Sequence, residues 1–234
     1  MIISPSAISP YKIPTFQSGG GVTPFSFGNA LKFDGVNDYV SYTDLETNSS
    51  YTLSLWINQA SVDNLGVLGN PANKTFNFLA IRNNGTILLD ANSNRATFSY
   101  TSTPNVWQHF VIIYDNSIQE ARSFINGVES PSGALSVDAS GGVYNSFGTR
   151  NLTQYREYKM DEFAYWNTVL TPTDALNLYN SGNGDYATNY SPANLVAYWR
   201  CNEADGALTL VDEQGTYNGT LNNFSTPPAY FIPH

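Results

Sequence analysis

The chain has 234 residues, of which 41% are hydrophobic, 14% aromatic and only 12% charged, and its formal net charge is −9. This apolar content favours a folded globular protein over a disordered one, and the low charge indicates a surface of Asn, Ser, Thr, Gly and Tyr. The ten Lys and Arg residues are scattered singly along the sequence, which argues against a basic patch for nucleic acid or an anionic membrane.

Targeting and redox signals are sparse. A Sec signal peptide needs a basic n-region and an apolar segment of about 7–15 residues, and the first residues, MIISPSAISPYKIP, show neither. No apolar run approaches the ~18 residues of a membrane span. The single cysteine, Cys201, lies in an apolar-aromatic stretch typical of a packed thiol. We expect no Sec export signal, no membrane insertion and no intramolecular disulfide.

Residues 1–28 differ in composition from the rest of the chain. They contain Pro5, Pro10, Pro14 and Pro24 and the run Gly19-Gly20-Gly21. Prolines at this spacing block a regular helix and favour extended chain. We predict either a disordered leader or an extended arm that docks on a neighbouring protein.

From Leu31 onward the sequence has the pattern of β-strands. Tyr51–Ile57 alternates apolar with mostly polar residues, as in a strand with one buried face, and Trp107–Tyr114 is apolar on both faces, which suits a central strand. Asn83-Asn84-Gly85 and Asn126-Gly127 predict hairpin turns. Further strands are predicted at residues 76–81, 86–89, 96–100, 119–125, 160–166 and 195–201. Short strands at this spacing are typical of an all-β sandwich.

One helix of about two turns is predicted after the strand at 160–166. Thr171 suits the N-cap, Pro172 the first helical position, and Asp174 lies three residues after the cap. Leu176 and Tyr179 share a face, and Gly182 offers a C-terminal stop.

Five segments follow one another in an order found in a known family. They are Ala30–Val40 (ALKFDGVNDYV), Tyr51–Ile57 (YTLSLWI), Trp107–Val111 (WQHFV), Phe124–Val128 (FINGV) and Met160–Asn167 (MDEFAYWN), the last followed by the helix. Together they resemble the laminin-G-like domains of the concanavalin A-like lectin/glucanase family over roughly residues 29–182. The resemblance implies an all-β, two-sheet antiparallel jelly-roll sandwich with one short helix.

Residues 195–221 are similar to a segment that, in many members of the family, precedes the FDG motif, which here is Phe33-Asp34-Gly35. In this chain the segment comes last. Either the arrangement is permuted and this segment completes the sheets, or it begins a truncated second repeat. No second FDG motif follows, which favours the permuted arrangement. We therefore predict one domain over residues 29–234.

The resemblance also implies a calcium site, with cofactor Ca²⁺ and carboxylates from Asp34, Asp38, Asp161 and Glu162. Calcium takes oxygen ligands, which loop carboxylates and carbonyl groups supply. The same residues also suit a purely local role, because Asp-Gly and Asn-Asp sequences form turns in which the side chain bonds its own backbone. Both interpretations stay open at this point.

Lectin-like relatives bind glycans on aromatic platforms, which implies candidate ligand-binding residues here. The interesting position is Trp56, on the otherwise polar face of its strand. The other candidates, placed at strand ends or in loops, are Tyr100, Tyr144, Tyr155 and Tyr158. The alternative for each is an aromatic residue of the core or of an interface.

Catalysis is not expected. Glycoside hydrolases of this fold place carboxylates alternately on one strand, and the chain has no E-x-D-x-E pattern. Asp161 and Glu162 are adjacent, so a regular strand points them to opposite faces. His109 lies within the predicted central strand and is interpreted as structural.

The sequence therefore predicts a non-catalytic recognition or adhesion module that binds a carbohydrate or host-surface polymer, as part of a virion surface or appendage, or an extracellular protein. The alternative is a structural assembly protein, such as a capsid, spike or tail subunit, that acts through protein–protein contacts. A virion partner would dock on residues 1–28, and homo-oligomers are expected. The apolar segment 227–233 favours such contacts, because it would otherwise be exposed.

Overall fold

In the computed structural model, which describes residues 25–47, 49–62, 64–71, 77–91, 93–225 and 229–234, two antiparallel sheets pack face to face. One short helix lies against the outer face of the first sheet. This confirms the predicted all-β sandwich with one short helix. The predicted arm lies outside the described residues except for positions 25–28.

The strands, in chain order, are β1 (Asn29–Asp34), β2 (Tyr39–Thr47), β3 (Tyr51–Gln59), β4 (Leu65–Gly69), β5 (Asn77–Arg82), β6 (Thr86–Ala91), β7 (Asn94–Ser99), β8 (Trp107–Asp115), β9 (Glu120–Ile125), β10 (Val128–Glu129), β11 (Leu135–Ser136), β12 (Gly142–Phe147), β13 (Glu157–Trp166), β14 (Leu195–Trp199), β15 (Thr209–Leu210), β16 (Gly219–Asn222) and β17 (Phe231–Pro233). The first sheet has the order β10-β9-β8-β3-β13-β1-β17, with β11 also on β9 and β14 on β13. The second sheet has the order β15-β16-β2-β12-β4-β5-β6-β7.

The main core lies between the two sheets. Leu53, Leu55 and Ile57 of β3 face inward, and Leu55 pairs with Phe110 of β8, the central strand that the sequence predicts. The predicted hairpin turns form, with Gly85 at φ 75° and Gly127 at φ 74°. These turns favour glycine, because it adopts positive φ without steric cost.

A β-bulge interrupts β13 at the predicted acidic pair. The register with β3 shifts between Asp161 and Ala164, and Glu162 adopts φ 49°. An extra residue in the left-handed region breaks the alternation of side chains. Asp161 and Glu162 therefore both reach the outer side of the sheet, toward His234 and Tyr198 respectively. The expectation of opposite faces is wrong for this reason.

Helix α1 (Pro172–Tyr179) begins as predicted. Thr171 Oγ1 accepts a hydrogen bond from the Asp174 backbone N–H, and the Asp174 carboxylate accepts one from the Thr171 N–H, which is a complete capping box. The end and the face differ from the prediction. The helix stops at Asn180 in the left-handed conformation, which asparagine tolerates, and Leu176 is 52% exposed.

The buried face of α1 consists of Ala175 and Leu178. Ala175 packs with Val111 and Phe124 on the outer side of the first sheet, and Leu178 packs with Trp166. The helix thus covers the outer side of β8, β9 and β13, which explains why Trp107–Tyr114 is apolar on both faces. No helix among the described residues is long and apolar enough to cross a membrane.

Residues 195–222 add strands to both sheets. Strand β14 pairs with β13 in the first sheet, and β16 pairs with β2 in the second. Cys201 follows β14 and is fully buried, which confirms that it is a packed thiol.

The C-terminal segment packs within the chain itself. Strand β17 pairs with β1, and Tyr230 and Phe231 are 5% and 4% exposed in the main core. The prediction that this apolar segment favours external contacts is therefore wrong for the described residues 229–234, because their rings are already covered.

Candidate functional site

A groove of about 280 Å³ lies on the outer face of the second sheet. Its floor contains Ala80 of β5 and Leu88 of β6, which are direct cross-strand partners. Their neighbours along each strand, Leu79 and Leu89 among them, belong to the main core. Because side chains alternate along a strand, Ala80 and Leu88 face outward. The groove is lined by Asn64, Leu65, Gly66, Ala80, Arg82, Leu88, Arg95, Arg150, Gln154 and Arg156.

One wall is the connection between β12 and β13, residues 148–156, which crosses over β4. The crossing needs glycine below it. A Cβ added at Gly66 would lie 3.1 Å from the Arg150 backbone nitrogen, and one at Gly69 would lie 2.3 Å from the Thr149 carbonyl oxygen. Two glycines in β4 thus let this loop approach the sheet closely. The loop brings Arg150, Gln154 and Arg156 to the groove.

Four arginines meet at this groove. Arg82 ends β5 and Arg95 belongs to β7, whereas Arg150 and Arg156 come from the loop. These are four of the ten Lys and Arg residues of an acidic chain, and no Asp or Glu is among the lining residues. The expectation that the cations stay scattered is wrong, because the register of β5 to β7 and the course of the loop bring distant positions together.

The positive charge of the groove is only partly neutralised. Arg95 Nη2 lies 2.7 Å from Oδ2 of Asp90, a carboxylate that is 1% exposed. Burial lowers the pKa of the Arg150 guanidinium, Asp90 opposes that shift, and Arg95 and Arg82 add to it by charge repulsion. All three guanidinium groups border the same groove.

Two of the arginines have no carboxylate as a hydrogen-bond or ion-pair partner among the described residues. Among the described residues, neither Arg82 nor Arg156 forms an ion pair. Arg156 Nη1 donates to the Tyr155 carbonyl oxygen at 2.6 Å, but its Nε is buried without a hydrogen-bond partner. Buried polar groups without partners are rare in folded proteins. The arrangement can therefore donate hydrogen bonds to a ligand and stabilise negative charge on it.

Among the described residues, no ring contact joins two of the five predicted aromatic residues, and four of their rings are buried. Tyr144 lies inside β12 rather than at a strand end or in a loop, and it is 0% exposed; Tyr158 stacks on Phe33 and is 1% exposed. Tyr100 follows β7 as predicted, and its hydroxyl donates to Gln108 Oε1 at 2.6 Å. A buried ring offers no face to a sugar.

Trp56 faces outward on β3, as its alternation predicts, but it is 4% exposed. Its indole ring packs against the rings of Phe27, His109, Tyr179 and His234. The face that the sequence suggested for a ligand is therefore covered by other parts of the chain. Only Tyr155, in the loop beside Arg156, is partly exposed.

The four predicted calcium ligands form two separate pairs. Asp34 Oδ1 accepts the Val36 and Asn37 backbone N–H groups, and Asp38 Oδ2 accepts the Asp34 N–H at 2.9 Å. These contacts match the local turn interpretation, and burial raises the pKa of Asp38 to about 6.

The second pair, Asp161 and Glu162, lies at the bulge of β13. Asp161 Oδ2 is 2.6 Å from His234 Nδ1, and Glu162 bonds Tyr198 and Arg200. Burial raises the pKa of Asp161 well above its usual range. In the described part of the chain, no group of three or more His, Cys, Asp and Glu side chains is arranged to hold a metal ion. The calcium site stays a prediction.

A hydroxyl–imidazole pair lies beneath α1. Ser54 Oγ is 2.8 Å from His109 Nε2, and burial lowers the pKa of His109 to about 3, so the ring is neutral. Its Nδ1 is buried without a partner, and the adjoining void of about 10 Å³ has room for no more than a water molecule. Nothing in this geometry orients His109 as the base of a nucleophile.

Comparisons with known proteins agree with this architecture. A family model described as the Concanavalin A-like lectin/glucanases superfamily matches residues 34–175. A candidate carbohydrate-binding protein from Bacteroides ovatus superposes with a TM-score of 0.65 at 19% identity, covering 86% of this chain and 60% of that one. A heptameric SAP-like pentraxin from Limulus polyphemus superposes with a TM-score of 0.52 at 13% identity, covering 65% and 82%. No curated protein sequence matches the chain.

Proposed function

Because this chain belongs to the concanavalin A-like lectin/glucanase superfamily, we propose that it is a non-catalytic module that binds a carbohydrate in the arginine-lined groove. The observation that carries the proposal is the groove itself, with its small apolar floor and its walls of hydrogen-bond donors. The solved structure from Bacteroides ovatus supports a carbohydrate as the ligand by analogy of fold.

The chemistry of the lining suits a saccharide. Guanidinium groups donate through a planar fork, and the amides of Asn64 and Gln154 both donate and accept, so several sugar oxygens can be held at once. The floor of Ala80 and Leu88 offers a small apolar surface to the C–H groups of a sugar ring. The volume of about 280 Å³ is near the lower end of the range for small-molecule sites, ~300–1,000 Å³. It fits a terminal sugar or a short stretch of a polymer.

The lining also supports binding without cleavage. Glycoside hydrolysis generally needs two carboxyl groups on opposite sides of the bond that breaks. The residues that line the groove include no Asp or Glu, and the one carboxylate beneath them, Asp90, is buried against Arg95. The groove thus has donors that hold a sugar but lacks an acid and a nucleophile.

The finer parts of the sequence-based hypothesis stay predictions. A virion or appendage location and the alternative of a structural assembly protein both drew in part on the N-terminal arm, of which only residues 25–28 are described. Light scattering of the full chain beside a variant that begins at Phe25 would test the arm as an assembly element.

Binding to a saccharide array, compared between wild type and a variant whose groove is blocked, tests the proposed function. Gln154→Trp places a large side chain at the rim of the groove without changing the charge, and Gln214→Trp makes the same substitution in an exposed turn elsewhere. We expect wild type and Gln214→Trp to bind the same saccharides on the array. For those saccharides, Gln154→Trp should show an affinity at least tenfold lower by calorimetry. Equal binding by all three proteins would move the ligand to another surface, and no retention by wild type would reject carbohydrate recognition.

A further inference from the structure

We propose that the groove selects anionic saccharides, those whose sugar residues carry carboxylate or sulfate groups, and this inference rests on the proposed function. Carboxylated and sulfated sugars share the chemistry that matters here, which is a compact anionic group with several acceptor oxygens on an otherwise polar, hydroxylated ring.

The first argument is local charge. Four guanidinium groups border the groove, no Asp or Glu is among the residues that line it, and Asp90 lies beneath them in an ion pair with Arg95. The whole chain has a formal net charge of −9. A neutral sugar cannot relieve the repulsion among Arg82, Arg95 and Arg150, whereas an anion placed between them lowers it.

The second argument is the presence of unused donors. Neither Arg82 nor Arg156 has a carboxylate partner among the described residues, although both guanidinium groups border the groove. Hydrogen bonds from guanidinium to an anionic oxygen are roughly twice as strong as those between neutral groups. The planar guanidinium fork also matches the spacing of two oxygens on a carboxylate or sulfate.

The third argument is what the lining lacks. Small-molecule sites are ordinarily lined by apolar and aromatic side chains, and no aromatic residue lines this groove. Ring stacking is therefore not available to hold a neutral sugar, and Ala80 and Leu88 are 8% and 4% exposed, so they offer little apolar area. Affinity must come mainly from charge and hydrogen bonds.

The acidity of the rest of the protein narrows the ligand further. Charges separated by more than about 10 Å are largely screened at moderate salt, so the attraction acts only within the groove. A long, continuous polyanion would extend beyond the groove, and outside the four groove arginines the chain has only six Lys and Arg residues against 19 Asp and Glu residues. The geometry points to a terminal or isolated acidic sugar residue.

The test uses the full chain on an array of matched saccharides with and without a carboxylate or sulfate group, in which lactose, sialyllactose and sulfated lactose are one set. We expect retention of acidic members and at least a tenfold loss when NaCl rises from about 50 to about 500 mM. The carboxylated and sulfated members separate the two sources of negative charge.

Three variants locate the effect. Arg82→Gln and Arg156→Gln each remove one groove cation, and Arg122→Gln is the matched control, because Arg122 lies in β9 and pairs with Glu120 and Glu129. We expect each groove variant to bind an acidic saccharide about tenfold more weakly, and the control to bind like wild type.

The outcomes are distinguishable. Retention of neutral members without preference for acidic ones would overturn the anionic selectivity and leave the proposed function standing. Retention of no saccharide would overturn both. An equal loss in Arg122→Gln would trace the effect to net charge rather than to the groove, and would also overturn the inference.

Discussion

Asp212 offers a sharp test of how residues 195–222 are held in the sandwich. Its Oδ1 accepts the backbone N–H groups of Tyr198 and Gln214, at 2.8 and 3.0 Å, and its Oδ2 accepts those of Thr216 and Tyr217, at 3.0 and 2.9 Å. One carboxylate, 2% exposed, thus fastens the turn after β15 to β14. Asp212→Ala removes both acceptor oxygens and with them all four hydrogen bonds.

The expected cost follows from where the four donors lie. The N–H of Tyr198 is buried and loses its acceptor without access to water, which costs about 1–3 kcal/mol. The three donors of the turn are only partly buried, so water replaces part of each bond, and each loss costs about 0.5–1.5 kcal/mol. We expect Asp212→Ala to lower the free energy of unfolding by roughly 2.5–7.5 kcal/mol.

Urea unfolding followed by tryptophan fluorescence measures this loss, since Trp199 is adjacent to the turn and its Nε1 donates to the Tyr217 carbonyl oxygen. Asp212→Asn keeps one acceptor oxygen and should lose about half as much. Glu213→Ala, at the exposed neighbouring position, should change stability by less than about 0.5 kcal/mol. A loss below about 1 kcal/mol in Asp212→Ala would refute the reasoning.

Three further predictions concern buried or capping groups. Burial raises the pKa of Glu162 to about 8 from its ordinary 4.5, so between these pH values the folded state holds a proton that the unfolded state has released. The free energy of unfolding should therefore fall as pH rises through this interval, and Glu162→Gln should reduce that fall in urea titrations at several pH values. An equal fall in wild type and Glu162→Gln would contradict this prediction. Thr171→Ala should cost about 1 kcal/mol by removing the side-chain cap of α1, and Thr171→Ser should retain most of it. Burial raises the pKa of the Cys201 thiol and shields it, so a thiol reagent should label it only in the unfolded protein. Rapid labelling under native conditions would contradict this expectation.

The fold could be predicted largely because its signals are local. The alternation in Tyr51–Ile57, the turn at Asn126-Gly127 and the capping residues Thr171 and Asp174 each depend on a few adjacent residues. The bulge at Glu162 could not be predicted in this way, because nothing in the local pattern distinguishes an extra residue from a regular strand. Whether Asp161 and Glu162 point to opposite faces of the sheet or to the same face thus depends on the φ angle of Glu162.

The groove could not be predicted from sequence for a different reason. Arg82, Arg95, Arg150 and Arg156 are far apart along the chain and each stands singly among neutral residues or near an acidic one. Their meeting depends on the register of three strands and on two glycines that admit the loop over β4. Most of the aromatic residues predicted to bind a ligand are buried instead. The sequence could not show this, because the exposure of a ring depends on what packs over it, as Phe27 and His234 do over Trp56.

The pairing of β1 with β17 and of β2 with β16 has a consequence for how the protein acquires its structure. Both early strands leave the ribosome long before their final partners have been made, since Asn29 pairs with Pro233 and Ser41 with Thr220. Completion of both sheets must therefore wait for nearly the whole chain, and sheets that depend on such distant contacts form in milliseconds to seconds rather than microseconds. During that delay the unpaired strand edges can join to those of other chains. Synthesis at low temperature and refolding from dilute solution should raise the yield of native protein.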